Sequence, residues 1–184
     1  MNHYELSKKT AEWQLKKWHI VIYEYQHTTG GSEYPDVLCY KNGYTELFEI
    51  KVDRQDFKKD SGKECRNEYI IKYHPSYKYK RDKLHKILYE SAQWKPTVKE
   101  LIKEHPHLGR RRYYVCPKDL IKPEEIKNGF GLYYFTGKGF RKKKESKQFK
   151  SNIYEELSIL SHAFRKHASG NGHNVLVNTY DMKW

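Results

Sequence analysis

The chain has 184 residues with 36 Lys and Arg against 23 Asp and Glu, a formal charge of +13 and a pI near 9.4. That length suits one domain with a closed core. The charge favours a polyanionic partner through counterion release, without separating DNA from RNA or from an acidic protein. No apolar run reaches the length of a membrane span and the first residues form no signal region, which argues against a membrane partner and places the chain in the cytoplasm.

In chain order, residues 4–18 read as a helix, because Ala11, Leu15 and Trp18 recur at helical spacing with lysines on the far face. Residues 19–25 read as a β-branched and aromatic strand, and residues 28–32 as a Gly-rich turn. Two strands follow, at 33–40 and 45–52, joined through Asn42 and Gly43, which tolerate positive φ and mark a hairpin. Asp53 caps a short helix in which Asp56 resembles a capping-box acid. Residues 61–79 show no period and read as loop. Helices are expected over 80–94 and from Pro96 to about 105. Strands at 112–116 and 131–135 flank one short helical turn, and a polar Lys-rich stretch spans 138–150. The last helix, at about 150–168, carries Ile153, Leu157, Leu160 and Phe164 as an apolar stripe facing the core. The order predicts an α/β sandwich around a small mixed sheet, one domain with a helical insertion at about 61–110.

Chemistry concentrates on Asp36 and on Glu49, Ile50 and Lys51. In the strand 45–52, Phe48, Ile50 and Val52 share one face, while Leu47, Glu49 and Lys51 share the other. A carboxylate and an ammonium thus project together, and the hairpin brings Asp36 to the same end of the sheet. Asp36, Glu49 and the Ile50 carbonyl offer the hard oxygen ligands that Mg²⁺ prefers. Lys51 would neutralise charge developing on a phosphate. Against this stands the plain reading of Glu49 and Lys51 as the wet face of an antiparallel strand.

Other features are weaker. Three cysteines, Cys39, Cys65 and Cys116, show no C-x-x-C spacing, which argues against a zinc knuckle or disulfide framework and fits a reducing compartment. His105 and His107 lack a Cys or carboxylate at ligand spacing and read as exposed loop. Basic residues clump at 78–81, at Arg110, Arg111 and Arg112, and at 141–144. Arg110, Arg111 and Arg112, together with Arg54 and Lys63, are the candidate phosphate contacts, set against ordinary solvated surface. Asp56 and Asp60 stand four apart, so that either a second metal or Lys63 positioning competes with a cap and a local ion pair.

The Pro-Asp on one strand, the Glu-x-Lys on the next and the helix–three strands–helix–strand order resemble the PD-(D/E)XK nuclease superfamily. Residues 49–60 resemble the Glu-Ile-Lys-Val-Ser-Arg-x-Asp-Phe-x-x-Asp signature of its MmcB-like branch, found in DNA repair and in phage. Asp53 stands where Ser is usual, and 61–110 is longer than that branch leads one to expect. Residues 113–121 and 128–132 resemble its closing strands. The resemblance implies a restriction-endonuclease-like α-β-β-β-α-β core. It also implies a Mg²⁺- or Mn²⁺-dependent phosphodiesterase on DNA, with Asp36 and Glu49 as metal ligands, Lys51 as the catalytic lysine and an acid from the first helix, Glu12, with Glu5 behind it. Cutting both strands would call for a homodimer or a protein partner. A non-catalytic recruitment module on the same fold and a binder of acidic proteins remain the alternatives.

Overall fold

The computed structural model describes residues 1–26, 34–60, 69–74, 98–103, 108–170 and 174–178, with backbone alone at 69–74 and 98–103. The helix α1 (His3–Gln14) starts at a capping box in which the Asn2 side chain accepts the Glu5 N–H and Glu5 reaches back to the Asn2 N–H. Strand β1 (Ile20–Tyr23) follows, then the hairpin of β2 (Val37–Lys41) and β3 (Tyr44–Ile50). Its two-residue turn has Asn42 at φ 51° and Gly43 at φ 73°, the left-handed pair that matches strand twist. Helix α2 (Arg54–Asp60) opens on Asp53, whose carboxylate accepts the N–H groups of Gln55 and Asp56 at 2.7 and 2.8 Å.

Residues Asn67–His105 form a separate compact unit. In it β4 (Tyr69–His74) and β5 (Val98–Lys103) pair antiparallel, with Tyr69 opposite Lys103 and His74 opposite Val98. This corrects the loop expected through 79 and the helix expected from Pro96. Short apolar runs do not distinguish strand from helix until a partner is known. The helix expected over 80–94, and the His105 and His107 loop, lie outside the described residues.

The remaining unit continues with β6 (Arg111–Pro117), a 3-10 turn at Pro123–Glu125, β7 (Gly131–Phe135), β8 (Phe140–Lys144), helix α3 (Ile153–Ala168) and β9 (Asn174–Val177). These strands join β1–β3 in one sheet of order β8-β7-β6-β3-β2-β1-β9. The β3–β6 and β6–β7 pairings are parallel and the others antiparallel, so the fold is α/β with a mixed seven-stranded sheet flanked by helices. Two strands were not legible beforehand. β8 lies in the polar Lys-rich stretch and β9 follows the last helix. Both are edge strands: β8 is short and Lys-rich, so it joins the sheet without an apolar signature, while β9 is a four-residue apolar run too short to stand out by period.

The two sheet faces carry separate cores. Leu6, Ala11 and Trp18 pack with Val21, Val37, Phe48, Ile50, Tyr113 and Val115 on the α1 face. Ile159 and Ala163 of α3 pack with Ile22, Leu38 and Leu47 on the other. Each fully buried Leu, Ile or Phe contributes about 1.5–3 kcal/mol, and two-sided burial extends even to polar residues of the central strands, Thr45 and Glu49 of β3 and Arg112 of β6.

The face that α3 presents differs from the expected stripe. Ile153, Leu157 and Phe164 are exposed, while Glu156, Ile159 and Ala163 are buried. A polar anchor fixes the rotation of the helix. The Glu156 carboxylate accepts the Thr45 hydroxyl and the Gly109 N–H, each at 2.8 Å, and the Tyr40 hydroxyl donates to the Glu156 carbonyl at 2.8 Å. Gly109 has φ +79°, and a Cβ there would stand 2.8 Å from the Leu47 Cβ.

Candidate active site at the carboxyl end of β3

Chain reversal at Asn42 and Gly43 sets Val37 opposite Phe48, so Asp36 comes level with the last residues of β3. There the Asp36 carboxylate accepts the Ile50 N–H at 2.7 Å. The N–H and C=O of one strand residue point to the same side, so the Ile50 carbonyl opens on the Asp36 side as well. Asp36, Glu49, Ile50 and Lys51 are thus brought together as the hairpin predicted.

Their surroundings were not predicted. Glu49 and Lys51 are both only 2% exposed, which overturns the wet-face reading. The face they share is covered because α2 folds back across it. Phe57 packs edge-on against Tyr114 at 5.4 Å between centroids, and Tyr114 is the β6 neighbour of Glu49. The Lys51 ammonium lies 3.6 Å from Glu49, 3.5 Å from Asp56 and 3.3 Å from Asp60. Burial pulls its pKa down, but the charges of Glu49, Asp60, Asp36 and Asp56 outweigh it and hold the pKa above the ordinary lysine value. The surrounding carboxylates thus favour the charged ammonium. One ammonium stands within 3.6 Å of three carboxylates, two of them buried.

Asp60 is fully buried, not the local surface pair expected. Its Oδ1 faces Lys51 and its Oδ2 accepts the Tyr114 hydroxyl at 2.6 Å. Asp56, half exposed, turns to Lys51. The i, i+4 spacing of these acids was the sequence signal, since it places both on one helix face.

Helix α1 brings a histidine to the site where an acid was expected. His3 lies 3.4 Å from Asp36 and 3.0 Å from Glu24, the residue paired across the strand end with Asp36 through its N–H. The hydrogen-bonding contact with Asp36 is the largest cause raising the His3 pKa to about 9, ahead of opposing burial and of the charges of Asp36 and Glu24. Glu24 holds a left-handed φ of 51°, a strained position for this residue type. Glu12 is exposed nine residues further along α1, about 13 Å away by helical rise. Glu5 is spent on the capping box. Neither joins Asp36, and no sequence signal marked His3.

The predicted phosphate contacts are mostly elsewhere. Arg111 precedes by four residues Val115, whose carbonyl accepts the Lys51 N–H, so the Arg run sits about 13 Å back along the sheet. Arg112 is 1% exposed, with its guanidinium 4.5 Å over Phe149 and its Nε donating to the Gly109 carbonyl. It is a core residue, which corrects its assignment to a DNA surface. Arg111 pairs with Glu145 at 2.8 Å and Arg110 stacks on Tyr44 at 4.5 Å. Arg54 forks onto Glu125 and donates to the Leu120 carbonyl at 2.8 Å, tying α2 to the loop after β6. Lys63 lies outside the described residues. Lys58 and Lys59 of α2 are exposed neighbours of Asp56 and Asp60.

Among the described residues no three His, Cys, Asp or Glu side chains are gathered to close on one ion. A cation would therefore rest on the Asp36 and Glu49 carboxylates, the Ile50 carbonyl and waters. That all-oxygen set suits Mg²⁺ or Mn²⁺, since Mg²⁺ keeps several waters and takes one or two carboxylates. The donor chemistry fits such a group.

No protein-family profile matches the chain, and no curated protein does. Among solved structures it is similar to the SPO1766 protein of unknown function from Silicibacter pomeroyi, at 14% identity over 95% of this chain and 97% of that one, with a TM-score of 0.53. That likeness concerns the fold alone.

Proposed function

We propose that the protein is a divalent-metal-dependent deoxyribonuclease of the PD-(D/E)XK kind. The observation that carries this reading is the buried Lys51 ammonium ringed by Glu49, Asp56 and Asp60, beside the Asp36 carboxylate bonded to the Ile50 amide. Asp36, Glu49 and the Ile50 carbonyl would hold Mg²⁺ or Mn²⁺. When bound, that ion supplies Lewis-acid polarisation of a phosphoryl oxygen and lowers the pKa of a water. Lys51 stabilises the negative charge that grows on the phosphate in the transition state. Lys58 and Lys59, on the exposed side of α2, stand where the nucleic-acid backbone would pass, and such contacts hold phosphates without reading sequence. A net charge of +13 supports a DNA partner through the same electrostatics. Among the described residues no helix is long and apolar enough to cross a membrane. The buried free thiols of Cys39 and Cys116 fit a cytoplasmic setting.

Cleavage of supercoiled and single-stranded DNA with Mn²⁺, Mg²⁺ or EDTA, wild type beside Lys51→Ala, tests the reading. Metal-dependent cutting by wild type alone is expected. Salt-sensitive DNA binding by both proteins with no cutting by either would replace it with a recruitment module.

A further inference from the structure

A chain of buried polar groups runs behind Lys51, and the chemistry above leaves it without a role. The Asn128 amide donates to the Tyr114 hydroxyl at 3.0 Å, the Tyr114 hydroxyl donates to Asp60 Oδ2 at 2.6 Å, and Asp60 Oδ1 stands 3.3 Å from the Lys51 ammonium. Each link is itself held. The Asn128 side-chain oxygen accepts the Phe130 N–H at 3.0 Å, which fixes which end of the amide faces Tyr114. The Tyr114 ring is 2% exposed, between Phe57 at 5.4 Å and Phe130 at 5.0 Å. Asp60 is fully buried on the last turn of α2.

A lysine ammonium is a point charge on a flexible stem with three rotatable donors, so where it rests depends on what surrounds it. Around Lys51, Glu49 belongs to the same strand, two residues away, and Asp56 is 40% exposed in its side chain. A carboxylate that is a metal ligand changes its demand on a neighbouring ammonium when the cation arrives, and a half-exposed one is screened by solvent. Asp60 is shut away from water, and its second oxygen is clamped by Tyr114, a residue of β6 that takes no part in holding an ion at Asp36 and Glu49.

We propose that Asp60, clamped by Tyr114 and through it by Asn128, is the positioning residue that keeps the Lys51 ammonium aimed at the scissile phosphate while Glu49 is engaged by the metal. The inference rests on the nuclease reading. It assigns a role to α2, which thereby carries a part of the site and not merely its cover. Misplacing a reacting or stabilising group by about 1 Å costs up to about 100-fold in rate, so a single hydroxyl two contacts from the Lys51 ammonium matters.

The test compares wild type with Tyr114→Phe, Asp60→Asn and Asn128→Ala in steady-state cleavage with Mn²⁺, DNA affinity in EDTA, thermal unfolding, and NMR of lysine-labelled protein. In that spectrum a slowly exchanging ammonium signal is assigned to Lys51 by its disappearance in Lys51→Ala. Tyr114→Phe should lower kcat by about 10–100-fold, leave KM and DNA affinity near wild type, and erase the ammonium signal. Asn128→Ala, which leaves the Tyr114–Asp60 bond in place, should have a smaller effect of the same kind, and it serves if Asp60→Asn does not fold. An unchanged kcat for folded Tyr114→Phe overturns the proposal. So does a lowered kcat with the ammonium signal intact, because Tyr114 would then act by another route. A wild type that cuts no DNA with any metal overturns the nuclease reading instead, an outcome distinct from wild type and Tyr114→Phe cutting equally fast.

Discussion

Two cations lie buried on opposite faces of function in this molecule, Lys51 just beyond β3 and Arg112 on the adjacent parallel strand β6, each at most 2% exposed. They stand near opposite ends of the same strand pair, and their nearest surroundings differ. Lys51 has Glu49, Asp56 and Asp60 within 3.6 Å. Arg112 lies over the rings of Phe149 and Phe130, at 4.5 and 5.7 Å, and gives its Nε to the Gly109 carbonyl. A delocalised, weakly hydrated guanidinium is stable against aromatic faces, whereas a compact ammonium requires anions. Aromatic rings dominate the first surroundings and carboxylates the second, which separates an end of the sheet built for packing from one that gathers charged groups.

The contrast can be broken most severely at Lys51. Lys51→Ala should abolish cleavage while DNA affinity stays near wild type, and it should destabilise the fold by about 3–5 kcal/mol in urea titration, because it strands buried carboxylates. Full activity in that variant would remove Lys51 from the chemistry. The proposed cation site is next. Mn²⁺ at about 100 times its Kd should stabilise wild type by about 2.7 kcal/mol in thermal unfolding. It should do nothing for Asp36→Asn combined with Glu49→Gln, and an equal shift in both proteins would place the ion elsewhere.

At the other end, Arg112→Met should cost about 1–3 kcal/mol, from lost cation–π and hydrogen-bond contacts. The salt dependence of DNA binding should stay unchanged. A flatter salt dependence without loss of stability would return Arg112 to the DNA surface. The smallest effect concerns Glu156, whose pKa burial raises against the pull of its Gly109 and Thr45 hydrogen bonds and of Arg112 and Arg110. A carboxyl whose pKa is higher folded than unfolded binds its proton more tightly in the fold. Stability should therefore fall as pH rises from 4.5, the ordinary value, through the raised one. Glu156→Gln should flatten that slope in denaturant midpoints measured across the range, and an unchanged slope would show that Glu156 is not its source.

Local signals were read directly from the chain. Asn42 and Gly43 specify a turn because both accept left-handed φ, and the strands on either side follow from their alternation. Asp53 caps α2 as its position indicated, and Phe57 plugs that helix onto the sheet. The closeness of Asp36, Glu49 and Lys51 follows from the hairpin register and a two-residue spacing, both short-range quantities. Burial was not legible in the same way. Nothing local distinguishes Arg112 from Arg111, yet strand alternation sends one into the Phe130–Phe149 core and the other to Glu145. Asp60 reads as a surface acid until α2 is laid against β6 and Tyr114 takes its second oxygen. The apolar stripe of α3 pointed one way by periodicity, while Glu156, seeking Thr45 and Gly109, turned the helix another. Turns, caps, alternation and the Glu-x-Lys pair were legible in the chain alone, because each is settled within a few residues. The parallel β3–β6–β7 pairing, the clamp behind Lys51 and the burial of both cations were decided only by the tertiary structure, because a charge is tolerated in the interior only by partners that distant parts of the chain supply.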